Sequence, residues 1–407
     1  MRNTLLLVSM MLLTAIGIRA QQATVSGKAI DAETHRPVAG ASVTAGGLSV
    51  VTNDDGFFIL KGSRSELQAV LVSHLGYHSQ RVALGEDRQD SPLLIALNPA
   101  AVQLSEVLVM GANPRELVMA AIGRIVDNFS KKREMLSCFY REKVMKRQSY
   151  ISVAEGLLDM YKTAYDRNTD HDRTAIRKGR RLLSPRQGDT LGVKVMGGPA
   201  AAMMLDIVKN PDILLNADEL NLYDLKMEMP TTIADRRQYV VSIAPRRAVP
   251  YALYFGRLFI DQQTLAFTRA ELQLDMSSRE KATAMMLVKK PRGLRFRPKE
   301  LSLTVDYRTG DDGVTRISYL RNIFRFNCDW TRRLFATSFT AVCEMAVTSA
   351  TDVDVRPIRG RDSFDQRDAF FDKVDFFRDP AFWQDYNIIE PTESLDKAIG
   401  KLLKRYR

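Results

Sequence analysis

Val25-Ser26-Gly27-Lys28-Ala29-Ile30-Asp31 alternates with the period of two that a β-strand imposes on its side chains. It opens a segment, Thr24 to Leu97, around which the rest of the chain is organised. Thr34-His35-Arg36-Pro37-Val38-Ala39-Gly40 comes next and reads as a turn, because Pro37 pre-sets φ and Gly40 interrupts the pattern. Ala41-Ser42-Val43 re-enters a strand. Thr52-Asn53-Asp54-Asp55-Gly56 is a polar turn before the apolar run Phe57-Phe58-Ile59-Leu60, and Gly56 supplies the positive φ that a tight hairpin needs. Gln68 to His74, Tyr77 to Leu84 and Pro92 to Leu97 add further short strands, with Gly76 between the first two. About seven short strands with turn signals every ~8–12 residues predict a small β-sandwich.

The pattern is specific enough to carry a resemblance. V-x-G-x-x-x-D-x-x-x-x-x-P-V-x-G-A-x-V from Val25, T-N-D-D-G-F-F from Thr52 and S-H-L-G-Y from Ser73 resemble the carboxypeptidase-regulatory-like domain. The resemblance implies a transthyretin-like sandwich, of a kind that often stands ahead of an outer-membrane or surface module in the Gram-negative envelope. Leu104-Ser105-Glu106-Val107-Leu108-Val109 looks like the strand that commonly follows such domains, which extends the likeness to about Val109. A calcium site on Asn53, Asp54 and Asp55 is the functional alternative for the turn. Calcium takes six or more oxygens, and this neighbourhood offers few, so the acids read as acceptors for turn N–H groups.

The chain has 407 residues, room for two or three domains of ~150 residues each. Met1-Arg2-Asn3, the apolar run Leu5 to Ile18 and Ala20 read as a secretory signal peptide cut before Gln21, too short to span a membrane. Its removal takes Arg2 and Arg19 and no acid, lowering the net charge from +11 to +9. A basic exported protein meets no nucleic acid; its acidic partners are lipid phosphates, an anionic glycan or an acidic face of an outer-membrane protein. No other apolar run reaches spanning length. Cys138, Cys328 and Cys343 follow no framework spacing and read as buried free thiols.

Beyond the connector Asn98 to Gln103, Asn113-Pro114-Arg115-Glu116 opens a helix, with Asn113 as N-cap and Pro114 at the first helical position. Leu117, Ala120, Ala121, Ile125 and Val126 carry it to Asn128. Cys138-Phe139-Tyr140-Arg141-Glu142-Lys143 and Tyr150 to Tyr161 then read as strands, and Pro199 to Lys209 as a short helix. The Asn-Pro helix, F-Y-R-E and the stretch Ala154 to Lys162 look like an uncharacterised module that follows such domains in Bacteroidota-type envelope proteins. From Tyr223 the period is two, with a hairpin about Asp261-Gln262-Gln263-Thr264. Leu301, Leu303 and Val305 share one strand face, and Phe335, Phe339, Ala341, Cys343, Met345 and Val347 another. This predicts a long curved antiparallel sheet with one wet face and helices on the dry one. Phe382 to Pro391 forms a tail motif, and Thr392 caps a final helix carrying Leu395, Ile399 and Leu402.

Motifs of chemistry are sparse. His35, His74, His78 and His171 are the only histidines, and no H-E-x-x-H, G-x-S-x-G, Walker or G-x-G-x-x-G motif occurs. Arg141-Glu142 reads as a local ion pair, and Glu155 with Asp159 as solvated or ion-paired acids. The one candidate binding cluster is basic: Arg173, Arg177, Lys178, Arg180, Arg181 and Arg186, an anion-binding loop or an edge that discourages strand addition.

The sequence therefore predicts an all-β N-terminal sandwich (21–109), a linker helix (110–135) and an α+β domain (136–407) behind a signal peptide (1–20). The expected function is non-catalytic binding or scaffolding at the outer membrane or periplasm, without cofactor or metal. Its rivals are a periplasmic carrier of a lipid or lipoprotein acyl chain and a hydrolase of surface glycan or peptide.

Overall fold

The computed structural model describes residues 22–85, 91–100, 113–186, 195–287, 292–330, 336–376, 379 and 381–404. The expected signal peptide, the strand Leu104–Val109 and Phe335 lie outside them.

The first domain contains β1 (Gln22–Asp31), β2 (Ser42–Ala45), β3 (Leu48–Val51), β4 (Phe57–Ser63), β5 (Ala69–Ser73), β6 (Gln80–Ala83) and β7 (Leu93–Leu97). They form two sheets, ordered β4-β1-β7 and β3-β2-β5-β6, with Val25, Ala29, Val43, Phe58, Leu60 and Val72 buried between them. The sandwich predicted from alternation is present. Gly56 has φ +79, and a Cβ there would stand 2.5 Å from the Ala29 carbonyl oxygen, so the turn requires glycine. The motif residues Asp31 and Tyr77 tie the first loop to a later one. Asp31 accepts from the Thr34 and Glu33 amides at 2.6 and 3.0 Å and from the Tyr77 hydroxyl at 2.7 Å. These bonds, the Thr34 amide foremost, lower its pKa to about 2.

The linker forms α1 (Pro114–Gly123) and α2 (Ile125–Asn128). The Asn113 side chain accepts from Arg115 N as expected of an N-cap, and Val118 and Ala121 are buried.

The second domain is built on a single sheet. Its strands are β8 (Glu134–Lys146), β9 (Ser149–Lys162), β10 (Arg173–Leu183), β11 (Tyr223–Ile233), β12 (Arg236–Pro245), β13 (Tyr254–Asp261), β14 (Phe267–Leu274), β15 (Leu294–Thr309), β16 (Thr315–Trp330), β17 (Thr337–Thr351) and β18 (Asp375–Phe376). The sheet is 11-stranded and curved, ordered β11-β12-β13-β14-β15-β16-β17-β8-β9-β10-β18. The meander from Tyr223 is thus as expected; the joining of its last strand, β17, to the first, β8, is not encoded in any local pattern. Helices α3 (Gly198–Met204), α4 (Arg279–Met286) and α5 (Glu393–Lys404) complete the domain.

The expectation of one wet face does not hold. Ala341 to Thr348 and Val153 to Leu158 are buried without alternation, so the middle strands are covered on both sides. One face carries Cys138, Tyr140, Met160, Leu303, Val305 and Met345 under Met203, Ile207 and Phe370. The other carries Phe139, Leu157, Ala346 and Tyr319 under Trp383, Ile388 and Ile389. The helices are divided between the faces. The segment after α3 docks on the first, where Asp206 accepts from Lys162 Nζ, Tyr165 and Tyr307 at 2.5, 2.8 and 2.9 Å. Helix α5 lies on the second, with Leu395, Ile399 and Leu402 against Val153 and Leu182. All three cysteines are buried and unpaired.

Candidate functional site

The second face of the sheet has two differently built halves. Over β8–β10 it is closed by the C-terminal tail. Arg141 Nε and Arg180 Nε donate to the two oxygens of Glu155 at 2.8 and 3.0 Å, and Trp383 Nε1 donates to the same carboxylate at 2.8 Å. Burial alone would raise the Glu155 pKa; Arg141 and Arg180 outweigh it and hold the carboxyl below its ordinary value. Arg141 Nη2 also donates to the Ile389 carbonyl at 2.5 Å. The local Arg141–Glu142 ion pair expected from sequence is absent, because neighbours on a strand point to opposite faces. Glu142 instead lies on the first face, accepting from Tyr140 at 2.9 Å, and burial pushes its pKa up to about 7.

The tail also fastens the two domains together. The Asn387 side chain pairs with the Lys61 backbone through N–H···Oδ1 at 2.7 Å and Nδ2–H···O at 2.9 Å, capping the edge of β4 as another strand would. Asn53 Nδ2 donates to the Pro391 carbonyl at 3.0 Å, and Asp55 accepts from Glu393 N at 2.7 Å. Asp54 pairs with Arg321 at 2.8 Å. The turn weighed as a calcium site is therefore engaged in domain contacts.

The six predicted cations do not converge. Arg173 donates to the Asp170 and Asp172 carbonyls. Arg177 pairs with Asp159 at 3.0 Å. Lys178 donates to the Phe382 carbonyl and lies 4.1 Å over that ring, and Arg180 holds Glu155. Arg181 points to the opposite face from Arg180, where it donates to the Phe371 carbonyl at 2.7 Å. Arg186 is exposed beyond the end of β10.

Over β12–β16 the cover is the N-terminal domain, and here the fit is incomplete. A cavity of about 480 Å³ separates the β3-β2-β5-β6 sheet from the large sheet, a volume within the range of small-molecule sites. Strand alternation makes the two walls. Val43, Ala45, Val70 and Val72 point into the sandwich core, so Ser42, Thr44, Leu71 and Ser73 face the cleft. Opposite them stand Gln238, Thr268, Arg269, Asp306 and Arg308.

Most charges in the cleft are answered within the protein. Arg236 Nη2 donates to Asp261 at 2.7 Å, and Arg269 bridges Glu271 and Asp306 at 2.9 and 2.7 Å. Burial opposes the Arg269 charge, but Asp306 and Glu271 overcome it and hold its pKa above the ordinary value. Burial, with Arg269 second, lowers the His74 pKa to about 4, so its ring is neutral near pH 7. Arg308 differs. Its Nη1 is buried with no hydrogen-bond partner among the described residues, and burial lowers its pKa against the weaker pull of Asp311. Ser42 Oγ, on the facing wall, is likewise buried and unpaired. Arg81 of β6 also lines the cleft, exposed and without an ion-pair partner among the described residues. Neither Arg81 nor Arg308 is distinguishable in the sequence from a solvated strand residue. Among the described residues no cluster of three or more His, Cys, Asp or Glu is arranged to hold a metal, and no helix is long and apolar enough to cross a membrane.

Comparison with known proteins assigns the first domain. Residues 25–109 match the CarboxypepD_reg-like domain family. No curated protein matches the chain. Solved structures that are similar in part include three of bacterial proteins. A DUF1329 family protein from Desulfovibrio piger is 11% identical with a TM-score of 0.26, over 60% of this chain and 96% of that one. A LolA superfamily protein from Nitrosomonas europaea is 12% identical with a TM-score of 0.23, over 61% and 97%. A putative membrane-associated protein of unknown function from Bacteroides fragilis is 8% identical with a TM-score of 0.17, over 81% and 98%. Scores this low carry no argument about fold or function.

Proposed function

We propose that the chain is an exported, non-catalytic binding protein of the bacterial cell envelope whose ligand occupies the cleft between the two domains. The observation that carries this reading is Arg308 Nη1, a buried cationic donor without a hydrogen-bond partner among the described residues, on the wall of a cavity of about 480 Å³. A buried unsatisfied donor costs on the order of 1–3 kcal/mol, a cost that a bound acceptor would remove. The CarboxypepD_reg-like match supports an envelope setting, and the surplus of Lys and Arg fits an acidic ligand. The carrier alternative draws less support: it calls for an unfilled apolar face, and Ala341 is instead buried beside Phe326 and Phe339.

A thermal-shift screen of soluble envelope fractions, run on wild type and on Thr44→Trp, tests the reading. Thr44 faces the cleft from β2, so tryptophan there fills the cavity while leaving the sandwich core intact. A component that raises the Tm of wild type but not of the filled variant is the expected result. A component that stabilises both equally would move the site elsewhere, and turnover of that component would overturn the non-catalytic part.

A further inference from the structure

The cleft's chemistry narrows its ligand. Arg81 on the sandwich and Arg308 on the large sheet, which have no ion-pair partner among the described residues, stand on different domains. Between them the sandwich presents the hydroxyls of Ser42, Thr44 and Ser73 around the apolar Leu71, and Ser42 Oγ has no partner among the described residues. The opposite wall is not purely basic. Asp306 and Asp311 also line it, and they would repel a ligand that is densely anionic over its whole surface. A ligand that suits all of these groups carries a single carboxylate for a guanidinium fork and several hydroxyls for the serine, threonine and aspartate oxygens.

Resting on the cleft as the binding site, we propose that the ligand is an acidic saccharide, a short chain containing a uronic acid. Its carboxylate is held by Arg308 with Arg81 closing from the other domain, and its hydroxyls meet the Ser42–Thr44–Ser73 wall. Because the two cations belong to different domains, binding draws on both, and neither domain alone has the complete site.

Calorimetric titration of the full chain with short oligogalacturonates, with neutral galactose oligomers of equal length and with inorganic phosphate tests this. Oligogalacturonate binds wild type, and the neutral oligomer binds about tenfold more weakly or worse. Arg308→Gln and Arg81→Gln each weaken oligogalacturonate binding about tenfold, and added salt weakens it further. Arg81 is exposed, so its variant reports on binding even if Arg308→Gln alters folding; melting curves of both variants separate the two effects. No oligogalacturonate binding, phosphate bound as tightly as oligogalacturonate, or indifference to both arginine variants would overturn the proposal. Acidic and neutral oligomers bound equally, and both lost in Thr44→Trp, would keep the cleft and remove the acidic ligand. Oligogalacturonate binding that survives Thr44→Trp would remove the cleft as well.

Discussion

The half of the sheet under the C-terminal tail and the half under the N-terminal domain start from similar material: outward-facing arginines and acids on neighbouring strands. Under the tail the central charge is enclosed and answered, with Glu155 between Arg141 and Arg180 and Trp383 sealing it. Under the sandwich the walls stand apart, and Arg308 keeps a buried N–H without an acceptor. Burial alone therefore does not distinguish a structural ion pair from a binding group. What distinguishes them is whether the last hydrogen bond is made inside the protein.

The largest effect expected is at Glu155. Glu155→Ala leaves two buried guanidiniums facing each other and should cost about 3–5 kcal/mol by denaturant unfolding. A loss below about 1 kcal/mol would mean that the tail side is as loosely built as the cleft side. Next is Glu142, buried on the opposite face with no cationic partner among the described residues. Its folded pKa of about 7 lies above its unfolded value, so the protonated form is favoured by folding. That stability is fully present below the unfolded pKa and is lost as pH rises through the folded one, about 3 kcal/mol in all. Between about pH 5 and about pH 8, wild type should lose stability that Glu142→Gln retains; parallel slopes for the two proteins would refute the assignment. Ala341→Phe, in the packed apolar face, should cost roughly 1–3 kcal/mol by overpacking. An unchanged melting temperature together with loss of a bound fluorescent fatty acid would instead reveal a carrier. The smallest effect is expected at Arg308. Arg308→Gln removes the cost of the unpartnered donor but also the packing of the longer side chain and leaves an amide to satisfy, so the net shift in stability should be less than about 1 kcal/mol, in either direction. A loss as large as that of Glu155→Ala would erase the difference between the two halves.

The local elements were legible in the sequence because local physics fixes them. The Asn113 cap, the Gly56 turn and the strands from Tyr223 depend on side-chain period, φ and hydrogen bonds a few residues apart. The sandwich was legible because its strands are short and half-buried, so the alternation survives. The same rule misled in β9 and β17. Strands covered on both faces lose the alternation, and Glu155, read from sequence as a solvated or ion-paired acid, is buried in the fold, as is Glu344. The basic run from Arg173 to Arg186 was visible as composition, but a strand sends successive side chains to opposite faces and the tail claims several of them.

By itself the sequence determined the N-terminal domain, the meander and the capped helices, since each rests on interactions between near neighbours along the chain. Only the tertiary structure decided that β17 pairs with β8, that the tail binds both domains, and that Arg81 and Arg308 share a cleft. Those outcomes join residues up to hundreds of positions apart, through ion pairs and hydrogen bonds that exist only once both partners have been brought out of water together.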